Sequence, residues 1–145
     1  MTWSAIKKNF SLIPSSLLIL LFVYAATSKL LDYQKFRVEL GQSPILTVIA
    51  GWIAWLVPAV EIGIAIMLAY SQSRLTALYA SFSLMTIFTG YIFAITRFSE
   101  YVPCSCGGIL SNMNWMQHFY FNIFFIIVAL SGILIHDKTD MENIT

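Results

Sequence analysis

From Leu75 to Thr96 the chain reads LTALYASFSLMTIFTGYIFAIT, with no charged side chain anywhere in the run. A helix that crosses a bilayer needs about 20 predominantly apolar residues to match roughly 30 Å of hydrocarbon. This run is long enough. Inside lipid no water is present to bond backbone N–H and C=O groups, so the segment must satisfy its own, and a helix does that. Three further runs have the same character, at about Leu12–Ser28, Ile45–Tyr70 and Trp115–Ile135. The pattern predicts an all-α integral membrane four-helix bundle, residues 1–145 forming one transmembrane domain.

Composition agrees. Of 145 residues, 59% are hydrophobic and 10% charged, where a soluble domain carries about 25% charged residues. Lipid is the natural solvent for the excess. A net charge of +1 leaves no basic footprint for nucleic acid. The short link around Ser71–Arg74 makes the spans on either side antiparallel neighbours. Gly51, Gly63 and Gly90 are expected where helices approach closely, because small residues allow such contact in lipid.

Lys7 and Lys8 ahead of the first run, with Ala25-Ala26-Thr27-Ser28 behind it, have the outline of a secretion signal. The run is long for a signal core, so an uncleaved first helix is the preferred reading, with Pro14 in its first turn, where a missing N–H costs little. Between the first two spans, Asp32 can cap a short helix that runs through Leu40 and ends at Gly41. That segment reads either as a solvated turn at the membrane surface or as a short interfacial helix covering a site formed by other loops. Beyond His136 the polar tail is expected to be a loose end.

The Lys and Arg counts on the two sides of the membrane tie. Lys7 and Lys8, preceding the first helix, favour both termini inside, whereas Lys29 and Lys35 argue the other way. The preferred orientation puts the third connector on the extracytoplasmic side. That connector holds the chemistry: Arg97-Phe98-Ser99-Glu100-Tyr101-Val102-Pro103-Cys104-Ser105-Cys106-Gly107-Gly108. Cys104 and Cys106 are the protein's two cysteines, and Gly107 and Gly108 let the backbone bend sharply. Disulfides persist outside the cytosol. A ring closed over one intervening residue is tight, and strained, exposed disulfides are the exchangeable kind. Reversible dithiol–disulfide exchange is the leading reading. Idle thiols, a static staple, or a Cu(I) site helped by His118, Met113 or Met116 stand beside it. No structural zinc site is expected from two thiolates.

Glu61 falls inside the second span. A charged group there costs roughly 2.5–3.5 kcal/mol on insertion scales, so it should face the bundle, protonated or paired, with Lys29 as the nearest partner by topology. An interhelical hydrogen bond and a proton relay are equal alternatives for its role. Trp52, Trp55 and Tyr91 read as interfacial anchors or packing before they read as a quinone pocket.

Taken in order, these pieces resemble the MauE branch of the DoxX-like membrane proteins, the redox-associated membrane proteins. Lys29-Leu30-Leu31-Asp32 with Phe36 is similar to the family's K-x-x-D-x-x-x-F stretch, Pro58-Ala59-Val60-Glu61 to its P-x-x-E element, and Cys104-Ser105-Cys106-Gly107-Gly108 to its C-x-C-x-G loop. Trp115 and Asn122 follow in the family's order. Gly107 stands where the family often has an aromatic residue, and the region of His118 and Phe121 lacks a basic residue expected before the asparagine. The resemblance implies a multi-pass protein of the bacterial inner membrane that supports oxidative maturation of a periplasmic enzyme, beside a thioredoxin-fold or other thiol protein. Quinone-linked relatives make a quinone a candidate cofactor. A non-catalytic membrane subunit or assembly factor is the alternative, and copper handling a weaker one.

Overall fold

A computed structural model describes residues 3–42, 46–98 and 115–144. The described residues form five helices: α1 (Trp3–Leu31), α2 (Tyr33–Gln42), α3 (Ala50–Ala69), α4 (Arg74–Phe98) and α5 (Trp115–Ile144). Four carry stretches long and apolar enough to cross a membrane, Leu12–Leu31, Ala50–Ala69, Arg74–Phe98 and Met116–His136. The fifth, α2, is the short helix after the first span. The architecture is therefore all-α.

Each long helix buries one stripe. On α3 it is Ala50, Ala54, Pro58, Glu61, Ala65 and Leu68; on α4, Leu78, Ser81, Met85, Ile92 and Ile95. On α5 it is His118, Asn122, Phe125, Ala129 and Ile133, and on α1 Ser15, Leu18, Phe22 and Ala25. Steps of three and four residues keep a stripe on one side of a 3.6-residue helix. Leu18, Phe22, Leu68, Leu78, Met85, Phe125 and Ala129 meet in one apolar core. α1 packs on α3 and α5, and α4 on the same two, so the four spans follow one another around the bundle. Outside, large apolar side chains such as Leu20, Trp52 and Ile87 are exposed, as suits a lipid-facing surface.

Five hydroxyls within the spans bond back to their own helices. Thr27, Ser81, Thr86, Thr89 and Thr96 each donate to the carbonyl four residues back, at 2.7–2.8 Å. This bonding lets polar side chains sit in lipid without an unsatisfied donor. The tight link between α3 and α4 is also bonded. Ser73 Oγ donates to the Met67 carbonyl at 2.8 Å and Arg74 Nε to the Leu68 carbonyl at 3.3 Å. Both satisfy last-turn carbonyls of α3, and the guanidinium complements the negative end of that helix.

Three expectations are corrected. Gly63 and Gly90 face open space, and Gly51 has only the Arg37 side chain near it, 3.9 Å from where a Cβ would stand; the close approach is at Gly132, where a Cβ would lie 2.9 Å from Leu78 Cδ2 and 3.1 Å from Pro14 Cβ. Gly132 belongs to the buried stripe of α5, whereas Gly63 and Gly90 point outward. Pro14 is inside α1, because the helix begins at Trp3. Its ring removes the bond to the Phe10 carbonyl and packs against Gly132. The polar tail is helical through Ile144, because backbone bonding propagates past the end of the apolar run.

Candidate functional site

The stripe positions decide where the polar residues go. Lys29 continues the α1 stripe four residues beyond Ala25, Glu61 lies in the α3 stripe, Phe88 bridges Met85 and Ile92 on α4, and Asn122 lies on α5. The structure closes the first two into an ion pair: Lys29 Nζ donates to Glu61 Oε1 at 2.7 Å, with side chains 11% and 2% exposed. Lys29 also reaches the Ala25 carbonyl at 3.5 Å. Its ammonium lies 5.9 Å from the Phe36 ring centroid and 6.0 Å from that of Phe88, within reach of both π faces. Phe36 is the buried residue of α2, so the interfacial helix sits over the pair.

Glu61 Oε2 is buried and has no hydrogen-bond partner among the described residues. An unmet carboxylate oxygen costs more than the roughly 1–3 kcal/mol of a neutral group. One oxygen of the pair is thus satisfied by Lys29 and the other is open to a donor.

Helix rise places Asn122 in the same layer. Gly132 and Leu78 touch; from that contact, Asn122 and Phe88 are each ten residues along, about 15 Å at 1.5 Å per residue. Both therefore come level near the Lys29 ammonium. Asn122 is buried, as is His118 one turn earlier. The same contacts orient the bundle. Pro14, Leu78 and Gly132 mark one end. Asp32, the start of α3, Phe98 and Trp115 lie toward the other, so α4 ends and α5 begins at the Lys29 end.

Of the candidate residues, Glu61 and Asn122 are buried in this layer and Lys29 is half-buried beside them. Asp32 is exposed between α1 and α2, its carbonyl accepting from Phe36 N at 3.0 Å. Trp115 opens α5. Cys104, Cys106, Gly107 and Gly108 lie outside the described residues, as does Met113. Met116 is exposed and His118 buried. Trp52 and Trp55 are 82% and 65% exposed on the outer face of α3. Phe88 went unnoticed in sequence, being one of many aromatics in the apolar run; only its place in the i, i+3, i+7 series marks it.

The profile of the family described as methylamine utilisation protein MauE matches residues 7–135. The chain belongs to the MauE family. It is accordingly a multi-pass membrane protein, and the Lys29–Glu61 layer lies within the matched region of this MauE chain. No curated protein and no solved structure matches it.

Proposed function

We propose that this MauE-family protein is a membrane component of extracytoplasmic thiol–disulfide exchange, acting in the maturation of a partner enzyme of the methylamine-utilisation kind. The observation that carries the reading is positional. Both cysteines fall in connector 99–114, whose two ends flank the bundle end beneath which Lys29 and Glu61 are buried as a pair.

In the proposed exchange a partner thiolate attacks one sulfur of the Cys104–Cys106 disulfide, forming a mixed disulfide and releasing the other cysteine as thiolate. The partner's second thiolate then attacks the mixed bond. The partner gains a disulfide, the Cys104/Cys106 pair becomes a dithiol, and two electrons and two protons have moved with them. The step runs in either direction according to the two reduction potentials. Arg97, in the last turn of α4, would favour the thiolate form where it lies near a cysteine, and Glu100 in the same connector would oppose it, so the attacking cysteine is left unassigned. Glu61, whose Oε2 has no hydrogen-bond partner among the described residues, would serve as a proton acceptor beneath that end of the bundle. Asn122 supports the layer, Asp32 the junction of α1 and α2, and Trp115 and Gly107–Gly108 the loop.

Trapping tests this. A single Cys104→Ser or Cys106→Ser variant should accumulate a mixed disulfide with a periplasmic thiol protein, visible on non-reducing electrophoresis, and the double variant should trap none. Full function in both single variants without an adduct would leave the protein as a non-catalytic assembly subunit.

A further inference from the structure

Residues Gln34, Arg37, Val38 and Gly41 form an i, i+3, i+4, i+7 stripe along α2. They make one wall of a groove whose other wall is Thr47, Val48 and the first turn of α3 through Trp52, with a volume of about 460 Å³. We propose that this groove binds the phosphate headgroup of an anionic phospholipid, with Arg37 as the residue that holds the phosphate.

Three features converge on that occupant. The groove lies at headgroup level: α1 ends its apolar stretch at Leu31 and α3 begins its own at Ala50, so α2 and residues 46–49 run along the edge of the hydrocarbon. Its rim is apolar and outward, with Val48 96% exposed and Trp52 82% exposed, a surface for the acyl and glycerol parts of a lipid; tryptophan is favoured at that level. Its described lining is positively charged. Among the described lining residues Arg37 is the ionisable one, and it makes no ion pair among the described residues. The neighbouring acid on α2, Glu39, lies 4.0 Å from Lys35, and the first turn of α3 carries no acidic residue. A guanidinium offers paired donors that match two phosphate oxygens, while Gln34 adds an amide. Bare Gly51 leaves room beside the guanidinium, its missing Cβ position standing 3.9 Å from Arg37 Nε.

The inference does not draw on the redox proposal, since its argument uses neither cysteine, and the Lys29–Glu61 pair is not among the described lining residues. The test uses the full chain in detergent, by native mass spectrometry and thermal melting. Phosphatidylglycerol should be retained and raise the melting temperature, phosphatidylcholine should do neither, and Arg37→Gln should weaken phosphatidylglycerol retention about tenfold. Arg37→Lys should keep part of the binding, and Lys35→Gln, on the same helix but outside the groove, should keep nearly all. Equal losses in Arg37→Gln and Lys35→Gln would overturn the proposal in favour of diffuse surface charge. So would equal retention of the two lipids, or equal stabilisation by inorganic phosphate. Melting of the variants without lipid separates lost binding from lost folding.

Discussion

Phe36 of α2 places its ring 5.9 Å from the Lys29 ammonium, the same ammonium that bonds Glu61 Oε1 at 2.7 Å. A helix on the membrane surface is thereby joined to a carboxylate inside a span through one side chain. The arrangement makes the ion pair and the seat of α2 interdependent.

The first consequence concerns the pair itself. Breaking a buried ion pair by removing one partner leaves an uncompensated charge and costs about 3–5 kcal/mol, whereas replacing both with apolar groups is often close to neutral. Lys29→Met and Glu61→Leu should each lower the melting temperature of the purified protein, and the double variant should recover most of the loss. Strict additivity of the two losses would show that the side chains do not interact.

A second prediction follows for α2. Phe36→Ala removes its buried anchor and one π face over Lys29. Amide exchange in residues 33–42 should then accelerate while that of α4 stays as it was; Phe36→Trp should retain protection, since tryptophan gives the stronger cation contact. Unchanged exchange in α2 would mean that its other contacts with α3 suffice to hold it.

How much of this was legible beforehand depends on the kind of signal. The spans were readable because lipid demands long uninterrupted apolar runs. Glu61 was readable as inward-facing because a carboxylate in hydrocarbon is costly, and Lys29 because it is the cation at the adjoining helix end. The glycines were not. A glycine in an apolar run permits close approach but does not say which face it occupies, and Gly63 and Gly90 turned out to look outward while Gly132 fell on the inner stripe. Pro14 was misplaced because hydropathy marks where lipid begins, and α1 begins earlier, at Trp3. The layer of Phe88 and Asn122 needed the Leu78–Gly132 contact to set the helices in register.

That contact yields a third prediction. Added bulk in a packed site costs about 1–3 kcal/mol. Gly132→Ala places a Cβ against Leu78 and Pro14 and should destabilise the bundle by about that amount, with Gly132→Leu worse. Gly63→Leu and Gly90→Leu point into open space and should melt near the parent protein. Equal damage at all three positions would remove the special status of Gly132.

The last prediction concerns the side of the membrane. The proposed exchange needs an oxidising compartment, and α4 ends at Phe98 and α5 begins at Trp115 at the end of the bundle opposite Ser73 and Arg74. If Lys7 and Lys8 hold the N-terminus inside, then α1 delivers Lys29 and α2 to the outside, and the two cysteines with them. Arg74 and the start of α4 stay inside. A membrane-impermeant thiol reagent applied to intact spheroplasts after mild reduction should therefore label Cys104 or Cys106. A cysteine introduced at Gln72, in the link between α3 and α4, should react only after lysis. Both positions are needed, because labelling of the loop alone does not separate correct orientation from leaky cells. The reverse pattern would place the connector in the cytosol, where a strained disulfide is kept reduced, and would remove the physical basis for extracytoplasmic exchange while leaving the Lys29–Glu61 layer intact.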